Sequence, residues 1–437
     1  MTSLTQVEPA ELIRDAAVPL PDIDDPGFAE AFDRYADARV ILLGEASHGT
    51  SEFYRARAAI TRRLVERHGV NIVALEADWP DAANLDRYVR HRGRRVGEGA
   101  SDEDAPFQRF PSWMWRNAEF DGLVRWLHGH NRLLSDGAQA GIYGLDLYNL
   151  HGSMQAVIGF LEERDPQLAA EARERYSCLA PFSRNPAQYG AMAKSAGFGF
   201  CADGAVAMLT DLLERQCLGG DCDEWLDAAA NARLVKNAEG YYRAMFLASE
   251  DSWNARDTHM FETLCQLLEA KGPNAKAVVW AHNSHIGDAR ATGMGRERGE
   301  LNIGQLAKER FGEQARLIGF GTHSGTVAAA DDWDAPMKVK QVRSSVEGSH
   351  ERLCHDAGVG RFLLDLREDG PAPTREERLE RYIGVIYRPE TERWSHYVES
   401  VLAEQFDGWV WFDETRAVTP LSDVHGAGED ELWPFGL

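Results

Sequence analysis

Apolar residues fall into two kinds of stretch along the 437-residue chain. The runs Val40-Ile41-Leu42-Leu43, Val70-Asn71-Ile72-Val73-Ala74-Leu75, Ala140-Gly141-Ile142-Tyr143-Gly144-Leu145 and Ala277-Val278-Val279-Trp280-Ala281 are short and nearly continuous, as in strands buried on both faces. Elsewhere apolar positions recur three and four residues apart, as at Phe53, Ile60 and Leu64, which predicts amphipathic helices. Strands alternating with helices give an α/β fold, a mostly parallel central sheet flanked by helices. Later strands are expected over residues 315–320, 361–366, 382–387 and 408–412. Between residues 152 and 271 strand signals vanish while helical periodicity persists, which predicts a helical insertion or lid. The expected organisation is residues 1–150 as the first part of the α/β core, 151–272 as the insertion, and 273–437 as the remainder of the core.

Polar chemistry collects where these strands stop. Glu45 and His48 follow the first run, Glu76 the second, Asp146 the third, and His282 and His285 the fourth. Carboxyl ends of strands are where open α/β sheets bind ligands, so these groups should share one edge. Arg57 lies on the inward stripe of the next helix, where Glu45 or Glu76 can hold its guanidinium. Trp113, Trp115, Asp146 and His259 are candidate substrate contacts. The two tryptophans equally suit a core, Asp146 a helix N-cap, and His259 with Asp257 an exposed helix face.

No G-x-S-x-G elbow, strand-end cysteine, HExxH or P-loop is present, which leaves a covalent serine or cysteine hydrolase without support. The remaining set of His, Glu and Arg suits activation of water. A histidine taking a proton from water that attacks an ester carbonyl contributes about 10²–10⁴-fold. A competing scheme makes His48, His282, His285 and one Glu the ligands of a divalent metal, or of a metal or haem bound without turnover. Their spacing matches no metal motif, and Arg57 places a positive charge in the same cleft. No cofactor is therefore expected, with a divalent metal as the open alternative.

A formal charge of −23 opposes phosphate backbones and anionic membranes, and no large basic cluster offsets it beyond the short run at 90–95. Neither nucleic acid nor membrane is an expected partner, and no apolar stretch approaches the roughly 18–20 residues of a membrane span. The first twenty residues lack the basic and apolar regions of a signal peptide, and six scattered cysteines read as reduced thiols. Both features point to the cytoplasm.

The segments Gly44-Glu45-Ala46-Ser47-His48-Gly49, Ala74-Leu75-Glu76-Ala77-Asp78 and Trp280-Ala281-His282-Asn283-Ser284-His285 together resemble the erythromycin esterase family, whose members are also called succinoglycan biosynthesis proteins. Matching segments run from about residue 39 to about residue 419. The resemblance implies a hydrolase that opens a small-molecule ester or lactone with water. It also implies His48 as general base, with Glu45, Arg57, Glu76, His282 and His285 at the other active-site positions.

Overall fold

The computed structural model describes residues 8–92, 106–182, 186–193, 201–216, 222–245, 249–368 and 370–421. Its strands in chain order are β1 (Val18–Pro19), β2 (Val40–Leu43), β3 (Ile72–Asp78), β4 (Gly141–Asp146), β5 (Ala277–Trp280), β6 (Ala315–Ala329), β7 (Lys338–Val342), β8 (Arg361–Asp365), β9 (Arg378–Arg381), β10 (Tyr397–Ser400) and β11 (Gly408–Thr415). The main sheet runs β1-β8-β11-β6-β2-β5-β3-β4, with β7 added to β6. From β11 to β4 every neighbouring pair is parallel, while β8, β1 and β7 join antiparallel. This is the mostly parallel α/β sheet that the apolar runs predict.

The strand order follows from connections that change direction. The chain leaves β2, forms β3 and β4 on one side, and returns with β5 between β2 and β3 before crossing to β6. Such a reversal opens a crevice at the carboxyl edge. Successive side chains point to opposite faces. Ile41, Leu43, Val73, Leu75, Val278 and Trp280 enter one core, beneath the helices Ser51–His68 and Ala118–Asn131. Val40, Leu42, Ile72, Ala74, Ala277 and Val279 enter the other. That second core continues into the helices of residues 150–270, so these helices are seated on a sheet face that would otherwise meet water.

Several local expectations change. Residues 382–387 form only isolated bridges through Ile383 and Ile386, and the extended pair in this region is β9 with β10. Charged Arg378, Glu380, Arg381 and Glu399 disguise that pair in the sequence. Arg90, in the basic run, is buried against Asp86 and Asp223 rather than solvated, and residues 93–95 lie outside the described residues. Cys178 and Cys201 are joined as a disulfide, so the six cysteines are not all free thiols. Among the described residues no helix is long and apolar enough to cross a membrane.

Candidate active site

Strand register sets the site. Leu43 and Leu75 both pair with Trp280, so β2, β5 and β3 end almost level. The residues just beyond, Glu45, His282 and Glu76, therefore emerge side by side. Glu76 accepts the backbone N–H of His282 at 2.8 Å, and Glu45 accepts that of Asn283 through its carbonyl at 2.9 Å. Gly44 is needed here, because a Cβ would stand 2.1 Å from the Asn283 Oδ1. That amide bridges to Phe320, accepting its N–H at 3.2 Å and donating to its carbonyl at 2.8 Å.

Glu45 is fully buried between two partners. Its Oε1 accepts from His48 Nδ1 at 2.9 Å, and its Oε2 accepts from Arg57 at 2.5 Å. Arg57 lies between the rings of Tyr54 and Trp280, 4.5 and 4.6 Å from their centroids, where its charge is held without water. The Tyr54 hydroxyl donates to the His48 carbonyl at 2.9 Å and fixes the loop. With Nδ1 committed to Glu45, His48 keeps Nε2 as its open nitrogen.

His282 packs beside His48, their ring centroids 4.9 Å apart. Its Nδ1 accepts the Ser284 backbone N–H at 3.2 Å, which puts its proton on Nε2. Burial, and then the neighbouring His48, hold its pKa well below the ordinary histidine value, although Glu76 and the Ala46 backbone oppose this. Among the described residues its buried Nε2 has no hydrogen-bond partner. His282 is thus a neutral donor next to the open nitrogen of His48.

His285 has the opposite charge state. Burial works against its proton, but Asp257 and then Glu76 outweigh burial and raise its pKa to about 9. Both oxygens of Asp257 face His285 Nδ1 at 2.9 Å, and one also accepts the Ile303 N–H. Burial raises the Asp257 pKa too, but the His285 ring, Arg256 and the Ile303 N–H all favour its carboxylate, so we place the shared proton on the imidazole. Trp253 stacks on the ring at 4.6 Å. Arg256 donates to Glu76 at 2.8 Å and forks onto Asp146 at 2.7 and 3.0 Å. Glu76 stays ionised despite burial, because His285, His48 and Arg256 lower its pKa.

The six catalytic candidates, Glu45, His48, Arg57, Glu76, His282 and His285, thus form one contact chain, with Asp146 tied in through Arg256. The other three substrate-contact candidates lie elsewhere. Trp115 is buried beneath the sheet edge and donates to the Glu76 carbonyl at 3.2 Å, and Trp113 is buried in the same core. His259 turns away to Asn237 at 2.8 Å, and burial lowers its pKa to about 4. Arg256, which no sequence motif marks, and Asp257, which suits either the cleft or an exposed helix face, do reach the cluster. The signal was Trp253, Arg256 and Asp257 at helical i, i+3, i+4 spacing.

Among the described residues no three His, Cys, Asp or Glu side chains are gathered so as to hold a metal ion. His285 has both nitrogens directed at carboxylates, His282 Nδ1 takes a backbone N–H, and two guanidinium groups flank the carboxylates. This donor set does not fit a divalent cation. A cavity of about 10 Å³, roughly one water's worth, adjoins the cluster between Trp253, Ser284 and Tyr382. A larger one of about 590 Å³, around Arg55, Arg62 and Glu119, shares no residue with the cluster.

A buried Glu–His pair and two further imidazoles of opposite pKa shift are thus gathered at the carboxyl edge of a mostly parallel α/β sheet. The erythromycin esterase family model matches residues 65–415, and the chain belongs to that family. It is accordingly an ester-hydrolysing enzyme. Erythromycin esterase type II of Escherichia coli is 22% identical, over 82% of this chain and 90% of that protein. A solved succinoglycan biosynthesis protein shares the fold at a TM-score of 0.75, with 21% identity, 96% of this chain covered and 100% of that one. A mutant of the erythromycin esterase EreC, solved in its open conformation, gives 0.68, with 20% identity, covering 91% of this chain and 98% of that one. Glu45, His48 and Arg57 precede the matched stretch, and their membership of the cluster rests on the contacts above.

Proposed function

We propose that the enzyme opens a carboxylic ester or lactone, of macrolide type or related, by attack of water on the carbonyl carbon without a covalent serine intermediate. The observation that carries this reading is the Glu45–His48 pair, which engages His48 through Nδ1 and leaves Nε2 outside it, with the His282 ring 4.9 Å away and its Nε2 making no well-formed hydrogen bond among the described residues. His48 takes a proton from water as its oxygen bonds to the carbonyl carbon. Glu45 steadies the imidazolium that forms, and Arg57 holds Glu45. The His282 N–H meets the developing oxyanion, and His285 gives its proton to the departing alkoxide oxygen as the C–O bond breaks. His48 has then gained one proton and His285 lost one, and exchange with water returns both to their starting states, leaving a carboxylic acid and an alcohol.

The names carried by the relatives support a macrolide-type substrate. His48 is only 8% exposed and the adjoining cavity takes about one water, so admission of substrate calls for movement of the helices of residues 150–270, which act as the lid. The test is a panel of macrolide lactones and simple esters, with products read by mass spectrometry after dialysis against a chelator. Gain of one water without any enzyme-bound acyl intermediate is the expected result. A trapped acyl-enzyme, or turnover that needs an added divalent ion, would overturn it.

A further inference from the structure

The helix Ser249–Ala270 belongs to the stretch between β4 and β5, yet three of its side chains converge on His285, which sits beyond β5. Trp253 covers the ring face, Asp257 takes the Nδ1 edge through both oxygens, and Arg256 stands 3.1 Å from Nε2. Glu76 Oε1 faces the same nitrogen at 3.2 Å, so Nε2 accepts from the guanidinium when the ring is neutral and donates to the carboxylate when it is protonated, and the protonated ring then stands beside a second cation. Three carboxylates make it tolerable: Asp257 from the same helix, Glu76 from β3 and Asp146 from β4. The remaining titratable neighbours are His48 and His282, at the ends of β2 and β5. Glu76 meets His285 Nε2 at 3.2 Å, so in the protonated ring this N–H is directed at the Glu76 carboxylate and reaches a leaving oxygen by turning from it.

We infer that Asp257 is a positioning residue for the reaction: it fixes the ring of His285 from the lid side, keeps Nδ1 protonated, and holds Nε2–H ready for the leaving alkoxide, with Arg256 locking Glu76 and Asp146 beside it. The inference rests on the ester-hydrolysis reading of the site. The step is a single proton transfer. His285 Nε2 loses the proton that the alkoxide oxygen gains, and Asp257 keeps its hydrogen bond to Nδ1–H throughout. Lid position and acid catalysis are thereby coupled, since withdrawing the helix removes the groups that hold the proton on His285.

The test uses the full-length enzyme, with ¹⁵N resonances of the histidine rings followed against pH beside the pH profile of turnover. In the wild type both ring nitrogens of His285 carry protons at neutral pH, and the alkaline limb of kcat/KM lies near 9. Asp257→Asn keeps an oxygen for the Ile303 N–H, so the fold is retained. It should move the His285 midpoint and the alkaline limb down together by about two pH units, and lower kcat by about 10²–10⁴-fold. KM should change by less than about threefold, and Asp257→Glu should recover part of kcat. A wild-type His285 that is neutral at pH 7 would overturn the inference without any variant. So would an Asp257→Asn enzyme with midpoint and kcat unmoved. If the wild type hydrolyses no ester, the functional reading fails, while the ring titration still decides whether Asp257 holds the proton on His285.

Discussion

Removing Arg57 strands a carboxylate in the core. Glu45 is fully buried, and among the described residues Arg57 is the permanent charge paired with it, the His48 ring being its other hydrogen-bond partner. Breaking one side of a buried pair costs about 3–5 kcal/mol, because the surviving charge keeps its desolvation penalty. Loss of the contacts with the Tyr54 and Trp280 rings adds about 0.5–2 kcal/mol. Arg57→Met should therefore destabilise by about 3.5–7 kcal/mol, and Glu45→Gln by about 3–5 kcal/mol, since it leaves the guanidinium equally stranded. In the double variant neither charge remains, and the amide that replaces the Glu45 carboxylate still accepts from His48 Nδ1–H, so the combined loss should fall well short of the sum. The expected coupling is at least about 3 kcal/mol. Urea unfolding of the four proteins of the cycle, followed by tryptophan fluorescence, measures it. Additive losses would refute the argument that Arg57 is present to hold the charge of Glu45.

His282→Ala should lower kcat by about 10²–10³-fold with KM nearly unchanged, the cost of one oxyanion donor; an unchanged kcat would transfer that role to another group. Stability should fall on acidification. Burial lowers the pKa of His259, His350 and His396 to about 4 each, so below about 6.5 the unfolded chain binds protons the folded chain refuses. Each histidine then removes about 1.4 kcal/mol per pH unit between about 6.5 and 4, while Glu380, raised to about 8 by burial and by Glu351, opposes one of them above about 4.5. Urea midpoints that stay level from pH 7 to pH 5 would contradict these assignments. A tight, non-hydrolysable lactone analogue should slow amide hydrogen exchange in the helix Ser249–Ala270, and unaltered exchange there would argue against its closing over substrate.

What could be read from the sequence depended on how strongly packing marks a residue type. β2, β3, β4 and β5 were visible because strands buried on both faces leave unbroken apolar runs, and a parallel sheet then sends every strand-end group to one edge. That is why Glu45, His48, Glu76, His282 and His285 could be grouped from separate places in the chain. Trp113 and Trp115 could not be assigned, since a tryptophan beside a helix start suits either face of a sheet and only packing shows both beneath it. Arg256 was hidden for a different reason: its helix lies in the stretch between β4 and β5, and nothing local tells which of its faces meets a strand end far along the chain. The neighbouring His259, chemically the more suggestive residue, points to Asn237 instead. β9 and β10 escaped because they carry charges on a small two-stranded ribbon rather than an apolar run.

Single-turnover hydrolysis of a macrolide lactone or simple ester by wild type and by His48→Asn decides whether His48 activates water. The substituted amide retains a hydrogen-bonding partner for Glu45 but has no basic nitrogen, so substrate should bind with nearly the same Kd while the chemical step falls by about 10²–10⁴-fold. A His48→Asn enzyme that opens the ester at the wild-type rate would contradict the account.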